Sequence, residues 1–308
     1  MSIRHLIQQM RERYDGWSAR PSADESAVFL RAFGALPSEV IELYEDHDGT
    51  ATLPRRGDAW LPVRLMPMRE AIETQPALGE LTASVADVGR IVWLWSDDNS
   101  NYLGVYTTGR LTGWLVKLNH EDPILTPAYR SVGTFLVRLL AAAPGTAPQG
   151  QAAIDLVMVP QDVPVIVDDP QHVDTDRMHA RTLAEMYSHE ADEDRRRVLS
   201  MSSICLTPVA DTGSIAPFLR EPDMWTPETA VLLMELRRFG GASEEVERLA
   251  REGSPNGDSA AMRLLVRLGN SASNAAIARL QGQLSGQKLR CLEQWVRLRD
   301  RMQPPRWE

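Results

Sequence analysis

Apolar positions near the amino terminus recur at helical spacing. Ile3, Leu6, Ile7, Met10 and Tyr14 fall on one face, and Ser2 precedes them as an N-cap. Ser22 and Glu25 match a capping box, followed by Val28, Phe29, Ala32 and Phe33 on one predicted helical face, with Gly34 as the stop. Leu36–Pro37 restarts the chain into a third helix, Ser38 to Asp46, with Val40, Ile41, Leu43 and Tyr44 as its apolar positions; Asp48–Gly49 closes it as a turn. The period then changes. Leu61–Met66, Ile91–Trp95, Tyr102–Thr107 and Leu111–Leu118 are short, aromatic and β-branched, and they predict strands. Turns at Asp97–Asn101 and around Gly109 arrange them as an antiparallel meander, and helical spacing returns from Val132 to Ala142. Helices, strands and a closing helix predict an α+β domain over residues 1–145 rather than a parallel sheet.

Residues 141–150, AAAPGTAPQG, form the clearest linker. Beyond it Ile154–Val159 and Val163–Val167 predict short strands, so residues 146–224 read as a linker and acidic mixed region. Residues 225–308 predict helices with clean punctuation. Thr226–Pro227 opens one that ends at Gly240–Gly241, and Ser243 caps another ending at Gly253. Asp258 precedes a third that stops at Gly269, and Ser285 caps the last, which runs to about Met302. Such helices on short loops resemble stacked helical hairpins. The predicted class of the whole chain is α+β, with a mainly α-helical C-terminal domain.

Composition narrows the function classes. A chain of 308 residues favours two domains, at roughly 100–200 residues each. Its 43% hydrophobic and 24% charged content excludes wholesale disorder and a membrane bundle. Arg4, His5, Arg11, Glu12 and Arg13 punctuate the amino terminus, which therefore lacks a secretory signal pattern; no run of about 18 apolar residues predicts a membrane span. Cys205 and Cys291 are the two cysteines, so disulfides are not part of the expected design and a cytoplasmic location is expected. With 42 acidic residues against 33 basic, the net charge is −9. That balance disfavours general nucleic-acid binding and suits a basic partner.

The best-marked catalytic and phosphate-binding motifs are absent. Asp97, Asn99 and Asn101 start like a calcium loop, but Tyr102 stands where its glycine belongs and Thr108 where its bidentate glutamate belongs, so a polar hairpin turn is expected. From Asp162 to Asp194 ten Asp or Glu stand against Arg177 and Arg181. Within it His172, Asp176 and His179 suit a metal by ligand type. No established ligand spacing is met, and a solvated acidic stretch leading into a helix is the expected reading. Both cysteines read as structural. Trp93 and Trp95, two apart on one strand, are expected to share a face and to pack in the core. Lys288, Arg290, Arg297, Arg299 and Arg301 make the last helix basic, as dipole complementation favours.

Residues 29–49, FLRAFGALPSEVIELYEDHDG, resemble the opening signature of the SUKH superfamily, which includes the Smi–Knr cell-wall regulators of yeast and many bacterial immunity proteins. That signature pairs a helix with a Leu-Pro step, a second helix with aromatic and leucine positions, and a terminal Asn-Gly. Leu36–Pro37, Tyr44 and Asp48–Gly49 occupy those places. IVWLWSDDNSNYLGVY is similar to the family's central hairpin, LTGWLVKLNHEDP to its penultimate strand and His-acidic turn, and SVGTFLVRLL to its closing helix. The resemblance covers residues 1–145.

The resemblance implies a non-catalytic immunity protein that binds and neutralises a cognate polymorphic toxin, a nuclease or deaminase domain, by occlusion. The alternative it offers is a scaffold or regulator of the Smi–Knr type. No cofactor, metal, nucleic acid or membrane enters either reading. Toxins that process nucleic acid tend to carry basic clefts, so acidic loops are the expected contact residues: Glu45, Asp46, Asp48, Asp97, Asp98, Glu121, Asp122, Asp168 and Asp169.

Overall fold

A computed structural model describes residues 2–13, 16–50, 55–56, 59–60, 63–82, 89–118, 120, 125–141, 168–223, 225–237, 239, 241, 243–253 and 255–301. The chain divides into two units, Met1–Val159 and Pro160–Glu308. Residues 142–150 of the expected linker and the strands expected at 154–159 and 163–167 lie outside the described residues.

In the first unit, helix α1 (Ile3–Arg13) buries Ile3, Leu6, Ile7 and Met10 as their spacing requires. Helix α2 (Ala23–Phe33) opens on the expected capping box, with Ser22 and Glu25 each accepting from the other's backbone N–H. Its buried stripe is narrower than predicted. Phe29 and Phe33 are inside, whereas Val28 and Ala32 face outward. Helix α3 (Ser38–Tyr44) buries Val40, Leu43 and Tyr44 and leaves Ile41 exposed. Tyr44 donates its hydroxyl to the Met66 carbonyl at 2.7 Å, which satisfies its one polar atom inside the core.

Strands β1 (Arg55–Arg56) and β2 (Ala59–Trp60) pair antiparallel by themselves. The main sheet is the expected meander with five strands: β3 (Arg64–Leu65), β4 (Ile91–Ser96), β5 (Tyr102–Tyr106), β6 (Leu115–Leu118) and β7 (Thr126–Tyr129). The segment predicted as a strand from Leu111 begins instead as a turn, with Gly109 and Gly113 both at positive φ. Strand β7 holds Pro127 at the sheet edge, where a missing N–H is tolerated. Every residue of β4 is buried, so both faces are covered and its sequence has no alternation. A bulge corrects the expectation for its tryptophans. Trp93 opposes Gly104 and Trp95 opposes Leu103, so the two point to opposite faces. Both are buried, and Trp95 packs edge-on to Phe135 of α5 (Val132–Ala141).

Helix α4 (Met68–Leu81) was not legible in the pattern. It carries Pro76 inside, and its N-cap position is Pro67, which has no side chain able to cap. The cap comes from afar: the Met68 N–H donates to Asp48 Oδ1 at 2.7 Å. Strand β3 pairs only with Trp95 and Ser96, leaving the rest of that β4 edge to α4. The Gln75 side chain takes the missing strand's place. Its Nε2 donates to the Ile91 carbonyl at 2.8 Å, and its Oε1 accepts from the Trp93 N–H at 3.3 Å.

The second unit is helical throughout its described residues: α6 (Val173–His189), α7 (Glu193–Leu206), α8 (Ala216–Leu219), α9 (Trp225–Arg237), α10 (Ser243–Glu252), α11 (Pro255–Leu268), α12 (Ser271–Gln283) and α13 (Gly286–Arg301). A 3-10 segment, Val209–Ile215, precedes α8. The stretch expected as mixed therefore contributes two long helices, and α7 is central. Arg197 through Leu206 is buried on every side, so no amphipathic period marks it. Ser203 Oγ donates to the Ala180 carbonyl at 2.9 Å and ties α7 to α6. Helix α9 packs on both α7 and α11. Its Glu235, 1% exposed, holds Arg263 and Arg267 of α11.

Two substitutions test these supports. Gln75→Ala strands one donor and one acceptor on β4 and is expected to cost about 2 kcal/mol in urea unfolding; a loss below about 0.5 kcal/mol would mean those groups find other partners. Glu235→Ala leaves two guanidiniums beside an uncompensated buried site, with an expected loss of roughly 3–5 kcal/mol in the same measurement.

Candidate functional site

A cleft of about 330 Å³ opens between α2 and α3 and is floored by the start of α4. Phe29, Val40, Tyr44 and Met68 form its inner lining, and Leu30, Leu36 and Ile41 line it nearer the surface. Leu30 and Ile41 are each 42% exposed, whereas most leucines and isoleucines described in this unit are buried or half-buried. Its size is at the lower limit of ligand clefts, roughly 300–1,000 Å³. The lining is mostly apolar, with Arg20, Ser26 and Glu45 among its polar side chains.

The segment leading into α2 forms the other wall, through Arg20 and Pro21. It is pinned to the turn after α3. Ser18 Oγ donates to the Gly49 carbonyl at 2.7 Å, Ser18 N to the same oxygen at 3.3 Å, and Asp48 N to the Ala19 carbonyl at 2.9 Å. Behind that clasp the His47 ring is fully buried and meets Trp17 edge-on at 4.4 Å between centroids. Neither ring nitrogen has a hydrogen-bond partner among the described residues. Burial, aided by the charge on Arg11 and opposed by Asp46, lowers the His47 pKa from 6.5 to about 4.

The acidic residues expected to meet a partner are mostly engaged within the chain. Glu45 lines the cleft and accepts from Arg4 at 2.5 Å. Asp48 caps α4. Asp97 accepts from the N–H groups of Asn99 and Asn101 at 2.8 and 3.1 Å and from Asn101 Nδ2 at 2.6 Å, closing the β4–β5 turn. Asp98 accepts from Arg64 Nε at 2.7 Å, while the rest of that guanidinium grips both oxygens of Glu70. Asp168 pairs with the buried Arg237 and accepts from Val209 N at 2.9 Å; Asp169 accepts from Gln171 N and pairs with His172. Asp46 is exposed, and among the described residues no ion pair ties it. Glu121 and Asp122 lie outside the described residues. The structure thus brings Glu45, Asp46 and Asp48 together around α3 and its turn. Asp97 and Asp98 belong to the sheet, and Asp168 and Asp169 to the second unit.

The Asp97–Asn101 segment is the expected polar turn, with Asp98 and Ser100 at positive φ. His172 precedes α6, while Asp176 and His179 stand on it, Asp176 buried. Among the described residues no group of three or more His, Cys, Asp or Glu is arranged to hold a metal ion. Burial pushes the Cys205 thiol up to about 12, which leaves no thiolate at neutral pH. No helix among the described residues is long and apolar enough to cross a membrane. No protein-family model and no curated protein matches the chain.

The buried imidazole makes the wall of the cleft sensitive to acid. Unfolded, His47 titrates near its ordinary value; folded, it resists protonation until about 4. The unfolded chain therefore takes up the proton first. The stabilising contribution of neutral His47 is complete above about pH 6.5 and is lost as pH falls towards 4, by about 3 kcal/mol in total. His47→Phe is expected to flatten that part of the slope when urea midpoints are compared between pH 7 and pH 4.5. Parallel slopes for the two proteins would contradict the assignment.

Proposed function

We propose that the chain is a non-catalytic binding protein that docks another protein in the α2–α3 cleft. Its partner in this reading is a toxin domain, a nuclease or deaminase, which it neutralises by occlusion in the cytoplasm, as the SUKH resemblance of residues 1–145 implies. The observation that carries the reading is the pair Leu30 and Ile41, large apolar side chains held open on facing helices over an apolar floor. Such a surface gains free energy only when something covers it, and buried apolar anchors dominate protein–protein affinity. With most of the acidic candidates engaged in internal bonds, the cleft is the better contact than the acidic loops.

A second reading, the scaffold of the Smi–Knr type, has one observation in its favour. Trp225 and Leu232 stand seven residues apart on α9, two turns along one face, and are 39% and 37% exposed. They give the helical unit an apolar surface of its own.

Co-expression with the product of the adjacent gene separates the two readings. The immunity reading expects cell survival and a complex that co-elutes in gel filtration; neither protection nor a complex would refute it. Ile41→Asp is expected to weaken that complex at least about tenfold by isothermal titration. Because Ile41 is exposed, the melting temperature should change by no more than a few degrees.

A further inference from the structure

We infer that the α2–α3 cleft takes a partner segment in which bulky apolar side chains sit beside an acidic residue, whose carboxylate meets Arg20. The inference rests on the docking reading of the cleft and adds the chemistry of what enters it.

Two charged side chains line the cleft, and they are not equivalent. Glu45 is already paired with Arg4, at 2.5 Å. Arg20 is exposed and has no ion pair among the described residues. The acids closest to it in sequence do not claim it. Glu25 is held by Ser22, accepting from its N–H at 2.8 Å and from its hydroxyl at 2.7 Å, and Asp24 is an exposed residue of the first turn of α2 that does not line the cleft. A free guanidinium at the mouth of an apolar cleft offers a planar fork that matches a carboxylate with two parallel hydrogen bonds. A basic segment would be repelled by Arg20 and would find the Glu45 carboxylate occupied. An uncharged one would fill the floor but leave the fork unused.

The floor sets the other half of the requirement. Phe29, Val40, Tyr44 and Met68 present carbon surface, the Tyr44 hydroxyl being turned inward to the Met66 carbonyl. A cleft of about 330 Å³ admits a few side chains and not a folded domain, so a protruding loop or a short helix of the partner is what fits. Arg20 is held at a defined place because Ser18 and Ala19, just before it, are bonded to the Asp48–Gly49 turn. Charge pairing at the rim selects the segment, and burial of its apolar side chains supplies the affinity.

The test is selection of a random dodecapeptide display library on the full chain, with recovered peptides synthesised, labelled with fluorescein and titrated by anisotropy. Recovered sequences should place Asp or Glu within a few positions of two bulky apolar residues. Arg20→Glu, an exposed position outside the helices, should weaken them at least about tenfold. Changing the peptide's acidic residue to Lys should restore binding to Arg20→Glu. Ile41→Asp should weaken the same peptides. Basic or uncharged recovered sequences, or equal binding to the wild type and Arg20→Glu, would overturn the acidic anchor even if Ile41→Asp abolished binding and the docking reading stood. Acidic, Arg20-dependent peptides would uphold the anchor even if no toxin complex formed, in which case the immunity reading alone would fall.

Discussion

The turn from Asp46 to Thr50 holds the first unit together, because three pieces of chain use its atoms at once. Asp48 caps α4 through Met68 N, and its own N–H reaches back to Ala19. Thr50 N donates to the Leu65 carbonyl while Thr50 Oγ1 accepts from Leu65 N, both at 2.9 Å, which sets β3 in place. Gly49 makes this crowding possible. Its φ is +86°, and a Cβ there would stand 2.7 Å from Pro67 N and 2.8 Å from the Leu65 carbonyl oxygen. The cleft inherits its geometry from the turn, since Arg20, Tyr44 and Met68 are all within one or a few residues of a bond to it or to its neighbours.

Several charges in this chain are spent on tying elements together. Arg64 joins β3, α4 and the β4–β5 turn by holding Glu70 and Asp98 together. In the second unit, Arg237, 3% exposed, reaches the Asp168 carboxylate and the Cys205 carbonyl, and Glu235 serves two arginines of α11. Buried pairs of this kind gain little net stability, yet losing one partner is costly, so they constrain which arrangement of the helices is allowed. A net charge of −9 therefore says less about the binding face than it suggests. Carboxylates that form these bonds are poorly placed to steer a partner, and the exposed apolar pair on α2 and α3 stands out against them.

Several features were legible along the chain. The capping box at Ser22, the stripe of α1, the hairpin around Asp97–Asn101 and the helix ends at Gly253 and Gly269 all have local causes, so a short window contains the signal. Others had none. Helix α4 draws its cap from Asp48, and α7 is buried all round and so lacks a period. The bulge that sends Trp93 and Trp95 to opposite faces leaves no local mark in the sequence of β4, which is buried throughout. The cleft is half visible in the sequence: Phe29, Val40, Ile41 and Tyr44 are apolar positions of predicted helices, and nothing local marks Leu30 or Ile41 as exposed.

By itself, then, the sequence determined which stretches become helix and which become meander, wherever the bonds that cap and turn them lie close along the chain. It also determined the absence of the marked catalytic motifs and the acidic balance. Only the tertiary structure decided which apolar residues are covered. Val40 and Ile41 are adjacent and equally hydrophobic, and the angle between them on α3 puts one in the core and the other in the open. It likewise decided which charges are used. Glu45 and Arg20 look alike as exposed-type residues in sequence, and the arrival of Arg4 from α1 beside Glu45 is what leaves Arg20 as the open charge of the cleft.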